Sequence, residues 1–149
     1  MSSLSTRSAV PRATRVLLTI AAIATTLLAA IADSNQTHLF NPEWTDHSRF
    51  HAALWILTNL MAGLGALYLI YGRYAERDSR LAIRMAAFLV IMIWAPFFPS
   101  LLAPNTSAWP DGVTRVFAIS PQVIFAGVLV LMSLVAVRID ARARSHGGT

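Results

Sequence analysis

The chain has 149 residues, 56% of them hydrophobic and 13% charged, and its net charge of +5 rests on twelve arginines with no lysine. That is the length of one domain, with too little polar residue to coat a soluble globule. It contains no cysteine, which removes disulfides, thiolate nucleophiles and iron–sulfur clusters from the possible chemistry.

Residues 1–14 are polar and carry one proline, and are expected to form a flexible tail. Four apolar stretches follow, over residues 15–32, 50–71, 81–102 and 116–137. Each matches the roughly 17 to 25 residues that a membrane-spanning helix needs. The expected fold is therefore all-α: a four-transmembrane-helix bundle over residues 15–139, with residues 140–149 as a second flexible tail. The first stretch, preceded by three arginines and ending in Ala30, Ile31 and Ala32 before Asp33, also suits a cleavable signal peptide. Its length favours retention as a helix.

The arginines set the expected orientation. Arg7, Arg12 and Arg15 precede the first span, Arg73, Arg77, Arg80 and Arg84 surround the turn between the second and third, and Arg138, Arg142 and Arg144 follow the fourth. Only Arg49 and Arg115 lie at the opposite ends. This bias predicts that both termini and the middle loop are cytoplasmic, and it argues against a nucleic-acid partner. Arginine in place of lysine, with abundant alanine, suggests a bacterial cytoplasmic membrane. Membrane lipids are the expected surroundings.

Along the spans, prolines and small residues carry most of the local information. Asn41 and Pro42 either start the second helix early or make an interfacial turn before it. Small residues in "NLMAGLGA" admit either a neighbouring helix or a flat ligand. Pro96 and Pro99 are expected to bend, break or end the third span, and Pro121 fits the first turn of the fourth.

The first outer segment gathers the chemistry. Asp33, His38, Glu43, Asp46, His47, Arg49 and His51 fall within nineteen residues at one rim of the expected bundle. Ionisable groups at a membrane edge are costly unless paired or wet, so this density is the strongest functional signal in the sequence. Outer loops also need polar residues as ordinary interface anchors. His47 and His51 stand four apart on one helical face and could present two imidazoles to a metal ion. No HExxH pattern accompanies them, and neither metal nor cofactor enters the favoured reading. In that reading imidazole and carboxylate groups transfer protons on a lipid-soluble substrate, because histidine titrates near neutrality and a desolvated carboxylic acid can keep its proton. His47 and His51 are the candidate acid/base residues, with Asp33, Glu43 or Asp46 orienting or protonating. His38, Trp44, Arg49, Trp55, Thr58, Asn59 and Trp94 are candidates for holding the substrate, with Phe50 and Trp109 as further aromatic lining.

The segment "HLFNPEWTDHSRFHA" resembles a pattern, His-x-x-Asn-Pro-x-Trp-x-x-His-x-Arg-Phe-His, of small four-helix membrane proteins of bacteria and fungi. His38, Asn41, Pro42, Trp44, His47, Arg49, Phe50 and His51 carry it. The overall plan is similar, more loosely, to the sterol-isomerase-like membrane families, whose bundle encloses a lipidic cavity with acidic and histidine residues. The resemblance implies a membrane isomerase or cyclase acting on a hydrophobic small molecule. A noncatalytic membrane partner whose outer rim docks a larger complex is the rival reading. Transport would require a homodimer, since four helices without a buried chain of charges offer a thin pathway.

Overall fold

The computed structural model describes residues 9–73, 78–109 and 114–146. Among these, four long helices form one all-α bundle: α1 (Arg12–Asp33), α2 (Asp46–Tyr71), α3 (Ser79–Trp94) and α5 (Pro121–His146), with a single turn, α4 (Phe97–Ser100), between the last two. The helices alternate in direction around a ring, α1 against α2, α2 against α3, α3 against α5 and α5 against α1, while α1 and α3 also touch across the centre. The start of α1 and the end of α5 therefore lie at the same end of the bundle. Near them, the Thr14 hydroxyl of α1 donates to the Ala136 carbonyl of α5 at 3.2 Å.

Each boundary has a local cause. Thr45 caps α2 by accepting from the Ser48 N–H at 3.2 Å, and Asp78 caps α3 by accepting from the Leu81 N–H at 2.9 Å. Asn41 starts no helix: its Oδ1 accepts from the Glu43 N–H, which closes an interfacial turn before α2. Pro96 has no N–H to continue the α3 ladder, so the helix breaks at Ala95–Pro96 and resumes as the short α4. Pro121 opens α5 as expected.

Helix α1 begins at Arg12, and α5 runs on to His146. Residues 12–14 and 140–146, expected in flexible tails, are thus helical; residues 1–8 and 147–149 lie outside the described ones. The extension of α5 follows from a clasp at the arginine-rich end. Asp140 is 3% exposed, and its two carboxylate oxygens accept from Arg144 Nε at 2.8 Å and Nη2 at 2.9 Å. The same Nη2 donates to Ser79 Oγ at 3.1 Å, tying α5 to the start of α3.

The packing is that of a membrane bundle. Its centre mixes many small residues, including Ala21, Ala22, Ala66, Ala86, Ala126 and Ala136, with larger ones such as Leu18, Ile83 and Val90, while Ile23, Leu57, Met61, Phe88 and Leu131 point outward. Only 22% to 39% of the most apolar stretch of each span is buried inside the bundle, so most of that oil faces the surroundings. Water would not tolerate such a surface, but lipid does. All four spans are long and apolar enough to cross a membrane.

Of the described glycines, Gly63 lies tightest against another helix. A Cβ there would collide with the Thr26 hydroxyl and lie 2.6 Å from the Ala22 carbonyl oxygen and 2.9 Å from the Thr26 nitrogen. At this point the small-residue run serves helix packing. Gly63→Ala is expected to destabilise the bundle by about 1–3 kcal/mol, since backbone must move to admit the methyl group. Gly127→Ala, whose Cβ would meet only Phe98 Cζ at 3.8 Å, should be neutral. Thermal unfolding in detergent checks both.

At the other clasp, Arg144→Ala strands the Asp140 carboxylate in the bundle and should cost about 3 kcal/mol or more. The double variant Asp140→Asn/Arg144→Gln should lose less than Arg144→Ala alone, which the same melting experiment tests.

Candidate functional site

Helix α1 ends at Asp33, which is 7% exposed at the end of the bundle opposite the Asp140 clasp. The loop that follows folds back over its own start. Leu39 N–H donates to the Asp33 carbonyl at 3.0 Å, and His38 and Phe40 N–H both donate to the Asn35 carbonyl. This turn returns His38 to the carboxylate, with His38 Nε2 3.7 Å from Asp33 Oδ1. The Trp55 side chain of α2 lines the same cavity as that carboxylate.

A chain of hydrogen bonds fixes the imidazole. Asn35 Nδ2 donates to the Ala32 carbonyl at 2.5 Å, which leaves its Oδ1 to accept from both the Thr37 N–H and the Thr37 hydroxyl. With its single proton so used, Thr37 Oγ1 can only accept from His38, and the 2.8 Å contact to Nδ1 makes that nitrogen the donor. Nε2 is then the basic nitrogen of the neutral ring, and it faces Asp33. The arrangement sets the imidazole Nε2 3.7 Å from the carboxylate, close enough for an ion pair but beyond a direct hydrogen bond.

Arg49 braces the loop. Its Nε and Nη2 donate to the Asn41 carbonyl at 3.3 and 3.2 Å, Nη2 also reaches the Pro42 carbonyl, and Nη1 lies 3.5 Å from Asp46. Trp44 packs edge-on against His38, with ring centroids 5.6 Å apart. Within this segment, Asn41, Pro42, Trp44 and Arg49 together hold His38 in place.

Asp33 and His38 stand at the polar end of a cavity of about 390 Å³ bordered by α1, α2, the end of α3, α4 and α5. Its remaining walls are apolar or aromatic apart from Gln122. Phe97 connects the two indoles: it lies 5.9 Å from Trp55 and stacks on Trp94 at 5.3 Å. The Trp94 N–H is spent on Thr25 Oγ1 at 2.9 Å, so this indole offers the cavity its ring and not its donor.

The candidates named from sequence separate into groups. Asp33, His38, Trp55 and Trp94 come together in the cavity. His51 reaches only an adjoining hollow that also touches Asp33, His38 and Trp44. His47 pairs with His51, Nε2 to Nε2 at 3.1 Å, and stacks on Phe50 on the exposed face of α2. Glu43 and Asp46 are exposed, and neither lines the cavity. Thr58 is exposed on the outer face of α2, its hydroxyl bonded to the Leu54 carbonyl. Asn59 is fully buried and donates to the Trp55 carbonyl at 2.9 Å, while its Oδ1 has no partner among the described residues.

Leu28, Phe97, Gln122 and Phe125 line the cavity without having been singled out from sequence. Gln122 carried a usable signal, as a lone amide just inside an apolar span. Among the described residues no group of three or more His, Asp or Glu side chains is placed to hold a metal ion. The geometry defines a membrane-embedded helical bundle with an apolar cavity closed at one end by a carboxyl–imidazole pair. No family model, curated protein or solved structure matches the chain.

Thr37→Val removes the acceptor that holds the proton on His38 Nδ1. Nitrogen NMR of the labelled ring should show the Nδ1–H tautomer in the unmodified chain and a shift toward Nε2–H in the variant. An Nδ1–H ring in both would contradict the assigned hydrogen-bond chain.

Proposed function

We propose that the protein is a membrane isomerase or cyclase that moves a proton on a lipid-soluble substrate, with Asp33 and His38 as its acid/base pair. The observation that carries this reading is the pairing of these two groups at the mouth of an otherwise apolar cavity. A proton from the pair adds to one carbon of a double bond, forming a C–H bond and leaving a cation on the other. Loss of a proton from a neighbouring carbon back to the pair makes the isomeric double bond; attack by a second double bond before that loss closes a ring. Either sequence balances in atoms and electrons. Trp55, Trp94 and Phe97 present π-faces that favour a nearby positive charge. The arginine distribution supports placing this end outside the cytoplasm, in a bacterial cytoplasmic membrane.

The roles assigned to His47 and His51 change under this reading. Their mutual contact on the exposed face of α2 makes them rim groups, with His51 the nearer to the acid/base pair. The noncatalytic alternative rests on this same rim, where Glu43, Asp46 and His47 are all exposed. Capture of a partner at fixed stoichiometry, lost on substituting His47, would favour it.

Reversible protonation of a carbon labels it. Vesicles of bacterial lipid extract containing the full chain, incubated in deuterated water, should accumulate carbon-bound deuterium in one lipid species, read by mass spectrometry. Asp33→Asn or His38→Gln should slow the labelling by about 10²- to 10⁴-fold, the usual contribution of a positioned acid or base. His47→Ala and His51→Ala should leave it largely intact. Labelling that survives both Asp33→Asn and His38→Gln would sink the assignment.

A further inference from the structure

A second hollow of about 390 Å³ lies between the two outer loops, and its character is the opposite of the first. Gln36 and Asn41 enter it from the first loop and Asn105 from the second, between the indoles of Trp44 and Trp109. The second loop is held by its own bonds: the Thr106 hydroxyl, 2.9 Å from both the Ser100 and Ala103 carbonyls, shares its one proton between them, and Ser120 Oγ donates to the Ala108 carbonyl at 2.9 Å. Asn105 adopts φ 59°, a left-handed conformation that asparagine tolerates better than most residues.

The amides of this vestibule are largely unspent. Asn41 uses its Oδ1 on the Glu43 N–H, while Gln36 and Asn105 make no side-chain hydrogen bond among the described residues. A planar amide both donates and accepts, and so pairs with a hydroxyl in either sense. Indole faces pack against the C–H surface that hydroxyl-rich rings and chains also carry. An anionic head fits poorly. Among the described residues no arginine lines the hollow, and the Arg49 guanidinium is engaged with Asn41, Pro42 and Asp46.

His38 lines both the apolar cavity and this vestibule. Resting on the acid/base reading above, we infer that the substrate is a lipid with an uncharged polyhydroxyl head, a sugar or another polyol, whose hydrocarbon occupies the cavity and whose head occupies the vestibule. The junction between head and tail then lies beside His38 and Asp33.

The chain's four tryptophans divide between the two hollows, Trp55 and Trp94 in the cavity and Trp44 and Trp109 in the vestibule, so intrinsic fluorescence reports on both. The full chain in phosphatidylcholine nanodiscs would be titrated with monoglucosyl diacylglycerol, diacylglycerol, phosphatidic acid and soluble methyl glucoside. A saturable change is expected with the glycolipid, with much weaker responses to the other three. Trp109→Ala and, separately, Gln36→Ala should each weaken glycolipid binding, by about tenfold for the loss of one aromatic contact. Neither should alter the response to diacylglycerol, and retained thermal unfolding would show that each variant is folded.

Equal binding of diacylglycerol, equal binding of phosphatidic acid, or unchanged glycolipid binding in both variants would overturn the inference. Saturation by methyl glucoside alone would identify a free sugar as the occupant and also overturn it. Asp33→Asn should keep glycolipid binding while losing proton transfer, so failure of the head-group inference and failure of the acid/base reading give different results.

Discussion

The contact between α1 and α2 at Gly63 sets what can meet at the Asp33 end of the bundle. Gly63 packs against Ala22 and Thr26, which fixes the two helices in register. From Thr26 the chain climbs seven residues to Asp33, about 10 Å at helical rise, and α2 runs eight residues back from Gly63 to Trp55, about 12 Å. The Asp33 carboxylate and the Trp55 indole thus reach the same level because the small-residue contact below them sets the register. A larger side chain at position 63 would separate the helices and slide one rim group past the other.

Membrane packing explains why a cavity can form above that contact. Small residues let the helices approach through the middle of the bundle, around a few larger side chains such as Leu18, Ile83 and Val90. At the outer end α3 stops at Trp94, and Pro96 redirects the chain into α4. The space that a continuing α3 would have filled is bordered instead by Phe97 from α4 and by Gln122 and Phe125 from the start of α5. The proline break therefore determines the cavity's walls as well as the helix's end.

The helices, the proline break and the start of α5 were legible because each has a local cause: apolar length, a missing N–H, or a residue suited to a first turn. The choice among the histidines was not. His47 and His51 stand four residues apart, which places them on a common face but does not say which face, and α2 is apolar nearly all round below them. A soluble amphipathic helix would have revealed its inner side. His38 stands in a loop, where no periodicity applies, and its position depends on Asn35, Thr37 and Arg49 acting through hydrogen bonds that spacing alone does not encode. Phe97 and Gln122 arrive from distant parts of the chain through tertiary packing. The His38–His51 segment that carries the resemblance contributes one histidine to the cavity, and much of the rest of that pattern serves to brace it.

That bracing bears on how the acid/base pair could work in so small a protein. A four-helix bundle has little room to bury a long relay of charges, so on the proposed reading proton chemistry is placed at the rim. There a loop histidine would ordinarily sample many orientations and both tautomers. The chain spends Asn35 and Thr37 on one side of the ring, Trp44 on its edge, and Arg49 on the turn that carries Trp44. What remains is a single nitrogen directed at a single carboxyl, at the boundary between an apolar cavity and a polar vestibule. A substrate that is itself part oil and part alcohol would be oriented by that boundary before any proton moved, and its reacting carbons would be those nearest the change in polarity.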